Sequence, residues 1–187
     1  ASVTNDFNNT ADASGTYPVG TTTVVWTVTD NSGNTATCSM DITVTDDEDP
    51  TITCAADQTA TTDAGNCTAA VTVVAPTTAD NCGVASVTNN FNGTADASGT
   101  YPIGTTTVVW TVTDNSGKIA TCSMDITVTD NEAPNAVCQD ITASVDASGN
   151  LTITGDDVDG GSTDNCTGMT LSVSPNTFDC TDTGTTV

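Results

Sequence analysis

Apolar and polar residues alternate along much of the chain, most plainly in Ala120-Thr-Cys-Ser-Met-Asp-Ile-Thr-Val128. There Ala120, Cys122, Met124, Ile126 and Val128 fall on one side of a period-two pattern, and Thr121, Ser123, Asp125 and Thr127 fall on the other. Successive side chains of a strand point to opposite faces, so the pattern predicts a half-buried antiparallel strand. Just upstream, Val108, Trp110 and Val112 alternate with Val109, Thr111 and Thr113, and Asp114-Asn-Ser-Gly117 between the two runs predicts a hairpin turn. Shorter runs at Thr51–Cys54, Ala69–Val74 and Val84–Thr88 predict further strands, and no window carries helical periodicity. Threonine supplies 43 of the 187 residues, which favours strands. Short strands with frequent turns predict an all-β fold of two-sheet, immunoglobulin-like sandwiches.

The same pattern is written more than once. Ala1–Asp46 recurs as Ala85–Asp130, a shift of 84 residues, with five differences: Asp6/Asn90, Asn9/Gly93, Val19/Ile103, Asn34/Lys118 and Thr35/Ile119. A period of this length is too long for a solenoid and suits a small β-domain. A more divergent third copy follows, in which Pro134, Cys138, Asp164-Asn-Cys166 and Gly184-Thr-Thr-Val187 match Pro50, Cys54, Asp80-Asn-Cys82 and Gly104-Thr-Thr-Thr-Val108. The expected division is the back of one repeat at 1–46, a whole repeat at 47–130 and the front of a third at 131–187.

Asp80-Asn-Cys82, then Tyr101-Pro-Ile-Gly104-Thr-Thr-Thr-Val-Val-Trp-Thr-Val-Thr-Asp-Asn-Ser-Gly117, then Cys122-Ser-Met-Asp-Ile-Thr-Val128 resembles the hyalin repeat (HYR) domain. The resemblance covers all three copies. It implies immunoglobulin-like extracellular modules that occur in tandem, serve adhesion and have no enzymatic activity. Trp110 stands where a tyrosine is more usual, and Cys67, Cys82, Cys166 and Cys180 are additional to the family pattern.

Eight cysteines without a CxxC motif or a histidine point to disulfides and an oxidising compartment. In such a sandwich the first and last strands start at the same end, so Cys54 and Cys122, in phase with inward Ile52 and Met124, are expected to pair. The rival Cys38–Cys54 is set aside because the strand after Cys38 carries the chain roughly 20 to 25 Å away, far beyond disulfide reach. Cys38 and Cys138 are then left without partners within the fragment. Cys67–Cys82 and Cys166–Cys180 follow by elimination, although a strand from residue 69 would separate the first of these pairs. The third copy has Leu151 at the Cys67 position and gains Cys180, as though two neighbouring strands offer alternative partners to one Asp-Asn-Cys.

Charge narrows the function. Asp and Glu number 24 against Lys118 alone, with no Arg and no His, for a formal net charge of −23. The chain lacks histidine bases, arginine clamps and imidazole metal ligands, and it repels nucleic acid and anionic lipid unless cations intervene. No run of 18 apolar residues is present and no signal peptide is seen, so the chain looks like an excised piece of an exported protein without membrane insertion. Lys118, replaced by Asn34 in the other copy, reads as decoration of a turn.

Carboxylates are the one candidate chemistry. Asp46-Asp47-Glu48-Asp49-Pro50 and Asp130-Asn-Glu132-Ala-Pro134 lie between repeats. Adjacent acids repel in a bare linker, whereas Ca²⁺ takes six to eight oxygens from carboxylates, amides and carbonyls. The arrangement is similar to cadherin linkers, a similarity that implies Ca²⁺ stiffening the joints, with Asp80, Asn81, Asp114 and Asn115 completing the first and Asp164 and Asn165 the second. A plain solvated linker and an ordinary turn remain the competing reading. Asp156–Asp164 is read as a loop or edge turn, and the linker acids offer no cleft for glycosidase chemistry. Among the sequons at Asn8, Asn66, Asn92 and Asn165, Asn66 and Asn165 precede cysteines, which leaves Asn8 and Asn92 as glycosylation candidates. Trp26 and Trp110 are expected in the core. The functional expectation is a secreted or cell-surface array of disulfide-clamped repeats, an adhesive stalk or extracellular filament whose partners are neighbouring repeats or head-to-tail copies. The alternatives are a module binding a glycan or surface receptor, and accessory domains of a larger secreted hydrolase.

Overall fold

The computed structural model describes residues 1–182; the Gly184–Val187 match lies outside the described residues. Thirteen strands and one 3₁₀ turn make up its regular structure, with no α-helix among the described residues. The first copy contributes β1 (Ser2–Asn5), β2 (Gly20–Thr29) and β3 (Thr35–Val44), an antiparallel sheet in the order β1-β2-β3.

The middle copy holds β4 (Thr51–Thr53), β5 (Gln58–Thr61), β6 (Thr68–Val71), β7 (Thr77–Ala79), β8 (Val84–Asn89), β9 (Gly99–Pro102), β10 (Gly104–Asp114) and β11 (Ile119–Thr129). They form a four-stranded sheet, β5-β11-β10-β8, and the antiparallel ladders β4–β7 and β6–β9. β5, for which the sequence carries no alternation signal, lies parallel to β11, with Gln58 opposite Ile126 and Thr61 opposite Thr129. The third copy shows β12 (Asn150–Thr152) and β13 (Thr177–Asp179), paired antiparallel, and the 3₁₀ turn Asp156–Val158.

The alternation of β10 and β11 sets the core. Val108, Trp110, Val112, Met124, Ile126 and Val128 are all buried, and the threonines between them are half-buried or exposed. The same inward phase carries one residue further than the apolar run, to Asp114, whose side chain is 1% exposed. Cys54 and Cys122 form a disulfide with Cα atoms 5.7 Å apart.

The chain divides into two compact units. One comprises Ala1–Ala55, Ala75–Asp96 and Val109–Ser123; the other comprises Ala56–Val74, Ala97–Val108 and the described residues from Met124 onward. The first unit contains the β1-β2-β3 sheet, the β4–β7 ladder and the Cys54–Cys122 bond. The second contains the β5–β11 and β6–β9 pairings, with buried Ala69, Val73, Ala97 and Tyr101, and the third copy.

Candidate metal site

Three chain segments converge within the first unit. Asp46 follows β3, Asp80 follows β7, and Asp114 ends β10. One carboxylate oxygen of each lies within 4.8 Å of the others. The local sequence fixes each of them. Asp114 Oδ1 accepts the backbone N–H of Ser116 at 2.9 Å and of Lys118 at 2.8 Å, the turn expected of Asp-Asn-Ser-Gly. Asp80 Oδ1 accepts the N–H of Cys82 at 2.8 Å, while Asp46 accepts from Glu48 N–H at 3.3 Å and Ser116 Oγ at 3.2 Å.

These bonds use one oxygen each of Asp80 and Asp114. The other, Oδ2 in both residues, is buried and meets no donor. Buried acceptors are almost always satisfied, because stripping water from a carboxylate oxygen without replacing it is costly. Two carboxylates that each carry such an oxygen, clustered with a third, form a patch of negative potential that fits a hard cation with oxygen ligands. The surrounding loop is held tightly: Asn115 donates from Nδ2 to Cys82 O at 2.9 Å and from its backbone to Gly83 O at 3.1 Å. Gly83 has φ +99°, and a Cβ there would lie 2.8 Å from Asn115 Nδ2, so the close approach requires glycine. Burial, followed by the charge of Asp46 and a hydrogen bond to it, pushes the Cys82 thiol pKa up.

Of the other expected ligands of this joint, Asp47, Glu48 and Asp49 are exposed and lie outside the three-carboxylate cluster, and Asn81 and Asn115 are exposed as well. Asp49 faces Lys118 Nζ at 3.5 Å, and the same ammonium donates to Asp47 O at 2.6 Å. Lys118 is therefore no turn decoration, because it pins the acidic linker to the β10–β11 turn.

At the second joint, within the second unit, Asp130 accepts from Glu132 N–H at 3.0 Å and Thr62 Oγ1 at 3.3 Å, and Glu132 accepts from Gly65 N–H at 2.8 Å. Asn165 donates to Asn66 O at 2.9 Å, and Asp164 accepts from Cys166 N–H at 3.3 Å. Asp164 Oδ1 and Asn165 Oδ1 are buried without donors, as in the first cluster. No second group of three acids meets the same criterion among the described residues. Asp157 and Asp159 cap local turns through Thr154 and Ser162, and those bonds lower both pKa values.

Two disulfide expectations are corrected. Cys67 bonds Cys166, with Cα atoms 4.9 Å apart, whereas Cys82 and Cys180 carry free thiols along with Cys38 and Cys138. Cys67–Cys82 fails because β6 starts directly after Cys67 and carries the chain away by roughly 13 Å over four residues. Cys166–Cys180 fails because Cys67 already holds Cys166, and the Cys180 sulfur sits 3.7 Å from Gly149 O instead. At the sequons, Asn8 and Asn92 donate from Nδ2 to Asp12 O and Asp96 O, both at 2.7 Å, so the nitrogen that would carry a glycan closes its own loop.

The family model described as "HYR domain" matches residues 2–44 and again 45–128. Similar solved structures include protocadherin Gamma B2 extracellular cadherin domains 1-5, at 16% identity and a TM-score of 0.33, over 72% of this chain and 30% of that one. Another is the protocadherin gammaB7 EC3-6 cis-dimer structure, at 13% identity and a TM-score of 0.30, over 71% of this chain and 38% of that one. The chain thus spans about a third of the length of these structures, and a likeness this loose carries no further weight. No curated protein matches. No helix among the described residues is long and apolar enough to cross a membrane.

Proposed function

Because the chain belongs to the HYR domain family, we propose that it is a non-enzymatic stretch of an extracellular adhesive array, in which Ca²⁺ rigidifies the joint between consecutive repeats. The repeats on this reading are 1–46, 47–130 and 131–187, and neighbouring repeats are each other's first partners. The observation that carries the reading is the pair of buried oxygens without donors, Asp80 Oδ2 and Asp114 Oδ2, on two carboxylates that cluster with that of Asp46. Asp46 sits on the linker, whereas Asp80 and Asp114 belong to loops of the following repeat. An ion shared among them ties linker to repeat and removes freedom at the joint. When bound, Ca²⁺ supplies charge neutralisation and the missing coordination for those oxygens; the chain's own contribution is the turn geometry that aims them.

Calorimetric titration of the chelator-treated chain with Ca²⁺, paired with thermal melts, tests this. At a hundredfold excess over Kd, binding to the native state alone adds about 2.7 kcal/mol, a rise in Tm of roughly 5 to 10 °C for a chain of this size. Absence of binding overturns the reading. So does calcium that supports only glycan binding while the melt stays unchanged.

A further inference from the structure

The free thiol of Cys82 looks unremarkable until it is compared with its counterpart one period on. Cys166 lies 84 residues after Cys82 and ends the same triplet, Asp164-Asn-Cys166 against Asp80-Asn-Cys82. The two loops are built alike, since in each the aspartate accepts the cysteine N–H, at 2.8 Å for Cys82 and 3.3 Å for Cys166. Cys166 does not bond within its own repeat. It bonds Cys67, which is 99 residues earlier and belongs to the preceding copy. Asn165 Nδ2 reaches Asn66 O at 2.9 Å beside the bond, so the Asp-Asn-Cys loop docks on the Cys67 loop through the backbone as well.

We propose that Cys82 is the receiving half of the same inter-repeat bond, and that its partner is the cysteine holding Cys67's place in the preceding repeat. Each joint of the array is then stapled by one disulfide in addition to the one inside each repeat. Cys180 follows the same rule with a substitution. The third copy has Leu151 where the middle copy has Cys67, and Leu151 pairs across the β12–β13 ladder with Phe178. Two residues past Phe178, Cys180 places its sulfur against Gly149, at the start of β12. The thiol is thus offered from the neighbouring strand at the same end of the ladder, to the Asp-Asn-Cys of a following repeat. Formation is by exchange: the two thiols give up two protons and two electrons to a disulfide donor of the oxidising compartment, which is reduced to two thiols. The rule does not depend on the cation.

The test is the chain lengthened by a second copy of residues 47–130 placed after Asp130 and refolded in a glutathione redox buffer. Unpaired sulfurs are counted by mass in denaturant, with alkylated and glutathionylated ones taken together. The present chain leaves four, Cys38, Cys82, Cys138 and Cys180. The inserted copy adds four cysteines, and all of them find partners under the proposal, so the count stays at four; six overturns it. Pairing of Cys67 with Cys82 inside each copy would also leave four, and Cys82→Ser separates the two cases. Made in the first copy it lowers the count to three, because that thiol was unpaired. Made in the second copy it raises the count to five, because the first copy's Cys67 loses its partner. A count of five in both variants overturns the proposal.

Discussion

Ala1–Asp46 and Ala85–Asp130 are nearly the same 46 residues, yet their core positions meet different fates. Met40 is 47% exposed and Met124 is 2% exposed; Val28 is 46% exposed and Val112 fully buried. Local structure does not differ in this way. Asn5 and Asn89 close the same loop, each donating to the carbonyl of Thr10 or Thr94 at 2.7 Å, and Tyr17 and Tyr101 each donate to an alanine carbonyl four residues back. What differs is the rest of the sandwich. The middle copy has β4–β7, and its Tyr101 segment pairs with β6 as β9. Among the described residues the first copy has no such strands. Its Tyr17 stacks on Phe7, ring centroids 4.4 Å apart, rather than entering a ladder. Turns and hairpins are thus fixed by nearby residues, while burial depends on strands far away in the chain.

Truncating the equivalent methionines is the most severe test of that comparison. Met124→Ala should cost about 2 to 5 kcal/mol by urea unfolding, and Met40→Ala under about 1 kcal/mol. Equal costs would break the contrast. Placing residues 47–84 ahead of Ala1 should sharpen it. The first copy then gains its missing strands, Cys38 loses its free thiol to the added Cys54, and Met40→Ala becomes nearly as costly as Met124→Ala. If Cys38 still alkylates, distant strands are not what the first copy lacks.

A smaller effect separates Asp114 from its equivalent Asp30. Asp114→Asn should abolish the calcium-dependent rise in Tm, and Asp30→Asn should leave it intact; loss in both would place the ion elsewhere. The smallest effect is in the Asp30 turn. There the Asn34 side chain, followed by the Asn34 backbone, holds the carboxyl pKa below its ordinary 3.8. A depressed carboxylate contributes stability above the unfolded pKa that is lost as pH falls through the folded one, so this turn should loosen only below pH 3.8. In an NMR titration the midpoint of Asp30 should lie under 3.8 and move back toward it in Asn34→Ala.

The strands of β10 and β11 were legible because alternation over eleven residues leaves little freedom of register. β5 was not, because Gln58-Thr-Ala-Thr61 has no apolar face of its own and owes its place to β11. Asp46, Asp80 and Asp114 were all visible as candidate ligands. The exposed Asp47, Glu48 and Asp49 looked equally good, since proximity in a linker does not say which side chains turn inward. Asp114 was separable in principle, being the next inward position after Val112. The Cys67–Cys166 bond was hidden for a different reason: elimination within a repeat cannot find a partner that lies in the next one.

That bond also sets how far the chain can be stretched. Fully extended, 187 residues reach about 640 Å, but a cross-link spanning 99 of them leaves roughly 300 Å between the ends, however hard they are pulled. The Cys54–Cys122 loop lies largely inside the same stretch and adds little to that limit. Extensibility is therefore gated by reduction: a thiol reagent releases length that load alone does not.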